Sequence, residues 1–287
     1  MSLQGAPSEL NSVSFPREAA ALLEKAGEWR ALKKGMTNRS FLFTSGDTRY
    51  IIRIPGEGTD KLINRKQEAD VYRAISGLGF CDDPVYLDED SGVKITRYIE
   101  GARTCSAYDE DVVRRCMDLL RRLHGMELKV GHTFDVFDRI EFYESLWGRP
   151  SVHKDYEETR ERVFSLKPFI DEQKKKHCLS HIDAVCDNFL VYEGGIQLTD
   201  WEYAGMQDPH IDIAMFCVYC NYSREQVDRL IDLYFDGGCS VPERRKIYSY
   251  IAACGLLWSN WCEYKYLLGV DFGEYAQRQY QYAKDYV

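Results

Sequence analysis

Short runs of β-branched and aromatic residues dominate the first third of the chain, and turn-forming residues separate them. The first three runs lie at residues 29–33, 40–44 and 50–54, with "KGMTN" and "SGDT" between them. Two further runs, "PVYLDE" and "GVKITRYI", follow residues 61–76, where apolar residues recur at helical spacing. This pattern predicts a five-stranded antiparallel sheet with one inserted helix, preceded by a short helix within "FPREAAALLEKAG".

The pattern changes after about residue 103, where long stretches have helical periodicity. One amphipathic stripe consists of Val112, Val113, Cys116, Leu119, Leu120 and Leu123. Residues 178–200 are the exception, because "CLSHI", "NFLVYEGG" and "IQLTDW" are short strand-like pieces joined by loops. The chain is therefore predicted to be an α+β protein in which a larger, mostly helical region follows the sheet.

Composition and charge narrow the possible partners. The 287 residues are 45% hydrophobic, enough for a sizeable core, and the net charge is −9. An acidic surface repels a polyphosphate backbone, so we expect no nucleic-acid partner. Apolar stretches such as "IAACGLLW" are too short to span a membrane, and the N-terminus lacks a signal-peptide pattern. A cytoplasmic protein without membrane insertion is expected, whereas the oligomeric state leaves no trace in the sequence.

The ten cysteines are scattered along the chain, which favours reduced thiols over a disulfide framework. Cys217 and Cys220 form the sole CxxC pair, inside the apolar run "IAMFCVYC". We interpret both as packing residues and assign them no metal.

Candidate chemistry concentrates in "HIDAVCDN" and "LTDWEY". Phosphoryl transfer needs a carboxylate that orients the attacking hydroxyl and oxygen ligands for a Mg²⁺ ion that bridges the phosphates. Asp183 and Asn188 lie five residues apart in a predicted loop, and Asp200 ends a predicted strand. This order resembles the protein-kinase-like small-molecule kinases, in which Asp183 would be the catalytic base and Asn188 and Asp200 would bind Mg²⁺.

That resemblance implies a bilobal, protein-kinase-like fold. Residues 1–28 would be an N-terminal extension with a short helix, and residues 29–100 the nucleotide-binding lobe. Residues 101–287 would form the helical lobe that carries the catalytic loop and the acceptor site.

Two residues near the catalytic loop are predicted to support it. The position of His181 suggests a scaffold that hydrogen-bonds the main chain rather than a reacting group. Asp212, in "DPHIDIAMF", would begin an apolar helix, where a carboxylate is favourable and can also tie down a neighbouring loop.

The ATP site is less clearly marked. "KGMTNRS" has a single glycine, and a phosphate contact by Thr37 or Asn38 competes evenly with an ordinary hairpin turn. Arg53 stands where kinase-like lobes keep a strand cation, and we expect it to contact phosphate and to pair with Glu68, although a surface arginine is the alternative.

Two further segments bear on the ATP site. The segment joining the lobes could offer main-chain groups around Tyr98 and Glu100 to adenine. "KLINR", at residues 61–65, fits a basic patch near the phosphates and a solvated helix start equally well.

The C-terminal segment is unusually aromatic, with ten Trp, Tyr and Phe residues against four acidic ones from residue 250 onward. A quaternary ammonium has no hydrogen-bond donors and is best held by aromatic faces. The candidate substrate-binding residues are Tyr203, Tyr222, Trp258, Trp261, Phe272 and Tyr275. A tryptophan pair at helical spacing is, however, more often part of a core.

A second resemblance favours the binding role. "GMTN", "GTDKLINR", "HID", "DWEY", "WSNW" and "DFGEYAQRQYQYA" occur in the order of similar strings in the choline/ethanolamine kinase family, especially bacterial choline kinases that supply phosphorylcholine for surface decoration. It implies an ATP- and Mg²⁺-dependent choline kinase, with Tyr203, Trp258 and Trp261 around choline. Ethanolamine is the nearest alternative, with Glu202 as an ammonium acceptor. Thiamine or aminoglycoside kinases and a catalytically inactive nucleotide-binding scaffold are the others.

Overall fold

The computed structural model describes residues 6–8, 10, 13, 15–32, 38–56, 59, 61–173 and 176–287. The chain divides into two units. The first unit contains Met1–Arg103 and Tyr192–Glu202, and the second contains Thr104–Val191 and Tyr203–Val287. The functional assignment of the segments 1–28, 29–100 and 101–287 stays a prediction.

The first unit is built on a five-stranded antiparallel sheet, as predicted. Its strands are β1 (Ala26–Ala31), β2 (Asn38–Ser45), β3 (Thr48–Pro55), β4 (Tyr86–Leu87) and β5 (Lys94–Arg97), in the order β1-β2-β3-β5-β4. Gly46, with a φ of 60°, lies in the two-residue turn between β2 and β3, where a positive φ matches the twist of the strands. Arg53 on β3 pairs with Lys94 on β5, so both side chains point to the same face of the sheet.

One face of this sheet is closed by α1 (Arg17–Glu24), the predicted N-terminal helix. Ala19 and Leu23 of α1 are buried in one cluster with Phe43, Ile52 and Ile95 of the strands. The alternation of apolar residues along β2 and β3 produces this cluster, because every second side chain of a strand points to the same side.

The inserted helix of the first unit is α2 (Arg65–Ile75). It begins four residues later than the predicted segment at residue 61, because the Asn64 side chain accepts the N–H of Gln67 and so caps the helix there. Its buried residues include Arg65 and Glu68 as well as apolar ones. The helix therefore directs charged side chains into the interior of the unit.

The second unit is mostly helical, which confirms the predicted fold class. Its helices are α3 (Glu110–Gly125), α4 (Val136–Trp147), α5 (Tyr156–Phe164), α6 (Lys167–Glu172), α7 (His210–Tyr219), α8 (Arg224–Phe235), α9 (Val241–Leu267) and α10 (Glu274–Asp285). At the N-termini of α8 and α9, Ser223 and Ser240 form capping boxes with Gln226 and Glu243. Every residue of α9 from Tyr250 to Lys265 is buried, so α9 is the central helix of this unit.

Short strands frame the region that sequence analysis singled out for chemistry. They are β6 (Arg103–Thr104), β7 (Cys178–Ser180), β8 (Phe189–Tyr192), β9 (Gly195–Leu198) and β10 (Gly205–Gln207). Within the second unit, β7 pairs antiparallel with β10. The three strands predicted between residues 178 and 200 are β7, β8 and β9, whereas β6 and β10 were not predicted.

None of the helices within the described residues is both long and apolar enough to cross a membrane. Even α9, at 27 residues the longest of them, lacks the apolar character that a bilayer crossing requires.

Candidate active site

The loop after β7 is held by a single buried carboxylate. Asp212, in the first turn of α7, accepts the main-chain N–H of His181 at 2.9 Å and that of Ile182 at 2.7 Å. Ile182 has a φ of 68°, a left-handed conformation that is unfavourable for a β-branched residue. The two hydrogen bonds therefore stabilise a turn that the sequence alone would not favour.

His124 and Tyr234 extend the buried polar network around Asp212. His124 on α3 lies with its Nε2 2.9 Å from the Asp212 carboxylate, and its Nδ1 lies 2.8 Å from the hydroxyl of Tyr234. His181 itself is fully buried. Asp212 holds the main chain of the loop that His181 begins, and the supporting role of His181 stays a prediction. His124 was missed because it lies 88 residues before Asp212.

Asp183 and Asn188 lie close together in this loop. The Asn188 side-chain nitrogen donates to the main-chain oxygen of Asp183 and to its carboxylate Oδ2, both at 2.9 Å. A short 3-10 helix, Cys186–Asn188, brings the two residues together. Because the Asn188 nitrogen faces Asp183, its amide oxygen is the atom left to bind a cation.

The first unit contains a buried cluster of charged residues around Arg53. The Arg53 guanidinium donates to both carboxylate oxygens of Glu68, at 2.6 and 2.9 Å. It also donates to the carbonyl of Gly92 at 2.9 Å and to Asp200 Oδ1 at 3.1 Å. The predicted Arg53–Glu68 ion pair is therefore present, and the Arg53 side chain is only 6% exposed.

Glu68 is ionised within this cluster. Burial alone would raise the pKa of its carboxyl, but the charge and hydrogen bonds of Arg53 outweigh burial, with additional help from Lys94 and Arg65. Together they lower the pKa of Glu68 to about 2.

The pKa of Asp200 is shifted in the opposite direction. Burial and the neighbouring Glu202 raise the pKa of Asp200 to about 7, although Arg53 and Lys94 oppose the shift. Its side chain keeps 27% exposure, and its φ is 64°. A carboxylate crowded by like charge and still open to solvent has the chemistry of a ligand for a hard divalent cation.

Asn38 is part of the same cluster. Its side-chain nitrogen donates to Glu202 Oε2 at 3.0 Å, and the residue is 6% exposed. Asn38 therefore contacts a carboxylate, whereas a phosphate contact was one of two alternatives that the sequence left open. Thr37, the other candidate of that turn, lies outside the described residues.

The segment proposed to contact adenine is partly engaged with β3. The main-chain N–H of Tyr98 donates to the carbonyl of Arg49 at 2.9 Å, so this amide cannot also donate to a base. The Arg49 guanidinium lies 4.7 Å from the Tyr98 ring and donates to the exposed Glu100 carboxylate. The side chains of Tyr98 and Glu100 thus both contact Arg49.

Six aromatic rings in the second unit form one continuous string, each in contact with the next. The centroid distances are 5.9 Å for Tyr203–Trp258, 5.7 Å for Trp258–Trp261, 5.0 Å for Trp261–Phe272, 6.2 Å for Phe272–Tyr275 and 6.1 Å for Tyr275–Tyr219. We call this set the aromatic string. The first two contacts are edge-to-face, at 88° and 87°, and Tyr203, Trp258 and Trp261 are all buried, at 7%, 7% and 1% exposure.

Five of the six predicted aromatic residues belong to the string, but Tyr222 lies elsewhere. Its ring packs against Phe216 and Tyr108, and its hydroxyl donates to the carbonyl of Ala107. It lines two other cavities, of about 390 and 250 Å³. The prediction that Tyr222 contributes to the aromatic site is therefore not supported, because its side chain faces a different part of the unit.

Tyr219 takes the place that Tyr222 was expected to fill. It is the last residue of α7, and its hydroxyl donates to Asp187 at 2.8 Å. Asp187 is the residue before Asn188, so the aromatic string is connected to the loop of Asp183 and Asn188. Tyr219 and Tyr222 lie three residues apart in the sequence, and nothing in that spacing distinguishes the residue that joins the string from the one that does not.

Comparison with known proteins decides the family. The sequence profile described as "Phosphotransferase enzyme family" (APH) matches residues 28–250, which is most of the chain. The chain belongs to this phosphotransferase family. The bilobal α+β fold expected from the kinase-like motifs is the fold of this family's solved members, so the predicted membership is confirmed.

Three relatives are especially similar to this phosphotransferase. Protein LicA of Haemophilus influenzae is 31% identical over 262 residues, which cover 85% of this chain and 76% of that protein. The crystal structure of choline kinase LicA from Streptococcus pneumoniae is 29% identical, with a TM-score of 0.82 and coverage of 94% of this chain and 96% of that one. The crystal structure of LicA in complex with AMP is 29% identical, with a TM-score of 0.79 and 91% coverage of both chains.

Proposed function

We propose that this phosphotransferase moves the γ-phosphate of ATP to the hydroxyl of choline, giving phosphocholine and ADP. The observation that carries the choline assignment is the aromatic string that runs from Tyr203 to Tyr219. The similarity of the whole chain to choline kinase LicA supports the same acceptor. The AMP bound to a similar LicA supports an adenine nucleotide as the donor.

The string suits a quaternary ammonium better than a primary one. Trimethylammonium cannot donate hydrogen bonds, and each aromatic face attracts it by about 0.5 to 2 kcal/mol. Ethanolamine would instead need acceptors for its three N–H groups. Glu202, the acceptor considered for ethanolamine, already accepts from Arg65 at 2.9 Å and from Asn38 at 3.0 Å. These contacts favour choline as the acceptor.

Asp183 is proposed as the catalytic base. Its carboxylate would accept the proton of the choline hydroxyl as the oxygen attacks the γ-phosphate. Asn188 donates to Oδ2 of Asp183 and so fixes the direction of that carboxylate. Holding the base in position before substrate arrives reduces the reorganisation that the reaction requires.

Asn188 and Asp200 are the proposed Mg²⁺ ligands. Both offer side-chain oxygens. The cluster contains the carboxylates of Glu68, Asp200, Glu202 and Asp82 against the cations of Arg53, Arg65 and Lys94. A hard divalent cation fits that excess of negative charge. Mg²⁺, when bound, would neutralise charge on the transferred phosphoryl group, and Arg53, fixed by Glu68, is the proposed phosphate contact.

A direct assay tests the proposed function. The purified protein is incubated with ATP and Mg²⁺ and, separately, with choline, ethanolamine, thiamine and kanamycin, and products are identified by mass spectrometry. We expect phosphocholine, with the highest kcat/KM for choline. A preference for ethanolamine would contradict the acceptor, and no phosphorylated product from any of the four would contradict the enzyme.

Substitution of the base tests the proposed role of Asp183. Asp183→Ala should lower kcat by about 100-fold or more while leaving nucleotide binding nearly unchanged. Asp111→Asn, an exposed carboxylate in the first turn of α3, is the control and should behave as wild type. An unchanged kcat in Asp183→Ala would remove Asp183 from the reaction.

A further inference from the structure

Arg65 is the last residue of the "KLINR" segment, to which the sequence assigned no chemistry. It is the first residue of α2 and is only 7% exposed. Its Nη1 donates to Glu68 Oε2 and to Glu202 Oε2, both at 2.9 Å. One guanidinium nitrogen therefore connects the carboxylate that pairs with Arg53 to the carboxylate two residues after Asp200.

The turn before β5 is shaped around both arginines. A Cβ atom on Gly92 would overlap Cδ and Nε of Arg65, and the φ of Gly92 is 74°. The carbonyl of the same residue accepts Nη2 of Arg53 at 2.9 Å. Glycine at this position thus leaves room for Arg65 and at the same time orients Arg53.

Asp200 lies in a short, strained segment that is anchored on its far side by Glu202. The left-handed backbone of Asp200 is unfavourable for a residue with a side chain and persists only where neighbours fix it. Trp201 is fully buried, and its indole N–H donates to the carbonyl of Leu198 at 3.0 Å. Glu202 follows, held by Arg65 and Asn38.

Loss of Arg65 would remove the nearer of two guanidiniums from the buried Glu202 carboxylate. A buried charge that loses a cationic partner is strongly unfavourable and attracts another cation within reach. That cation is Arg53, whose Nη1 already lies 3.8 Å from Glu202 Oε2. A shift of Arg53 toward Glu202 would weaken its contacts with Glu68 and Asp200.

We propose that Arg65 is a positioning residue for phosphoryl transfer: by fixing Glu202 it holds Asp200 in a metal-binding orientation and keeps Arg53 paired with Glu68. Arg65 itself touches neither substrate nor metal in this role. The inference rests on the proposed function for the identity of the metal and the nucleotide, and it extends that function to a residue outside the kinase-like motifs.

The test measures nucleotide affinity with and without metal, independently of any acceptor. The dissociation constant of a fluorescent ADP analogue is determined in Mg²⁺ and in EDTA for wild type and Arg65→Gln. We expect Arg65→Gln to lose about 10-fold to 100-fold of the affinity that Mg²⁺ adds, the range typical of residues that orient metal ligands. Its affinity in EDTA should change less, and its KM for choline should stay near that of wild type.

Arg73→Gln is the matched control, because Arg73 lies on the same helix in exposed ion pairs with Asp70 and Glu89. It should keep the full effect of Mg²⁺. A wild-type protein that binds Mg²⁺–nucleotide but forms no phosphocholine would contradict the proposed function, while the comparison of Arg65→Gln with wild type would still decide the positioning role.

A second substitution tests whether Arg65 acts through Glu202. In Arg65→Gln/Glu202→Gln the carboxylate that would attract Arg53 is absent, so the double variant should recover part of the Mg²⁺ effect lost in Arg65→Gln. Additive losses would overturn the proposal, as would a full Mg²⁺ effect in Arg65→Gln. Should Arg65→Gln fail to fold, Arg65→Met removes the charge but keeps an unbranched apolar stem. A full Mg²⁺ effect in that variant would equally overturn the proposal.

Discussion

The hydroxyl of Tyr219 donates a 2.8 Å hydrogen bond to the carboxylate of Asp187. The ring of the same tyrosine contacts Tyr275 at 6.1 Å, and Asp187 directly precedes Asn188 in the 3-10 helix. One side chain therefore belongs both to the proposed acceptor site and to the support of the proposed catalytic loop. Substitutions at Tyr219 should therefore change kcat as well as the KM for choline.

Removing only the hydroxyl of Tyr219 separates these two contributions. Tyr219→Phe keeps the ring but loses a hydrogen bond to a charged acceptor, worth about 1 kcal/mol at a partly exposed position. We expect kcat to fall about fivefold, with a smaller change in the KM for choline. Tyr248→Phe is the control, since the Tyr248 hydroxyl donates to Asp228 on α8. Equal losses in both variants would assign no special role to Tyr219.

The aromatic string can be tested at its centre. Trp258→Leu keeps an apolar side chain at a position that is 7% exposed but removes the ring face. The KM for choline should rise about tenfold, the loss of a cation–π contact of about 1.4 kcal/mol, while the KM for ATP stays unchanged.

Trp147→Leu provides the matched comparison. Trp147 is as buried as Trp258, and its indole N–H donates to the carbonyl of Asn260. Both substitutions should lower the melting temperature, because both remove a large buried ring. A KM for choline that rises equally in both variants would show that Trp258 merely packs.

Much of this arrangement could be predicted because its determinants are local in sequence. The runs that became β2 and β3 are separated by two turn residues, which leaves one way to pair them. Asp183 and Asn188 are five residues apart, so a single loop brings them together. The Arg53–Glu68 pair followed from the expected order of strand and helix.

The features that were missed depend on contacts between distant residues or on a single dihedral angle. Arg65 meets Glu202 across 137 positions, and no local pattern indicates that contact. Tyr219 and Tyr222 are three residues apart. Asn221, between them, has a φ of 54°, so the chain changes direction after the end of α7. The chain therefore turns one tyrosine into the string and the other away from it.

The crowding of carboxylates around Asp200 predicts a conflict between stability and function. A pKa raised from 3.8 to about 7 means that the ionised side chain opposes folding above pH 7 in the absence of metal. Asp200→Asn should therefore be more stable than wild type at pH 8 in EDTA, by about 1 kcal/mol or 2 to 4 °C in melting temperature.

The same Asp200→Asn variant should gain no stability from Mg²⁺ and ADP, which should stabilise wild type. Asp90→Asn, at a carboxylate that is 84% exposed, controls for the change in net charge. A lower melting temperature for Asp200→Asn in EDTA would mean that its contact with Arg53 outweighs the repulsion from Glu202.

His210, the first residue of α7, predicts a loss of stability in mild acid. Burial lowers its pKa from 6.5 to about 4, and Lys246 and His124 add to this, against the opposing charges of Asp208 and Glu243. Between pH 6.5 and pH 4, His210 is therefore protonated in the unfolded chain but neutral in the folded protein. Stability should fall as the pH decreases from 6.5 toward 4, by about 2 kcal/mol between pH 7 and pH 5.

Melting temperatures of wild type and His210→Gln from pH 8 to pH 5 test this assignment. The variant should lose less stability than wild type over that range. Asp200 acts in the opposite direction, because its raised pKa makes stability increase as the pH falls from 7, but it contributes equally to both proteins. His177→Gln, at an exposed histidine, should follow wild type. Parallel curves for all three proteins would exclude His210 as the source.

The close approach of α10 to α9 depends on the missing side chain of Gly255. A Cβ atom at this position would lie 2.6 Å from the carbonyl oxygen of Gln279 and 2.8 Å from the main-chain nitrogen of Ala283. These are backbone atoms of α10, so the helix would have to move, and Gln279 would be drawn from its hydrogen bond to the carbonyl of Val218. Gly255→Ala should destabilise the protein by about 1 to 3 kcal/mol, as overpacking does.

Gly125→Ala is the opposite case within the same unit. Gly125 ends α3 and has open space where its Cβ would lie, so alanine should be neutral or stabilising by about 0.4 to 1 kcal/mol. Chemical denaturation of both variants measures the difference. Because α10 follows Phe272 and carries Tyr275 of the aromatic string, Gly255→Ala should also raise the KM for choline. A destabilised variant with an unchanged KM would show that the string tolerates movement of α10.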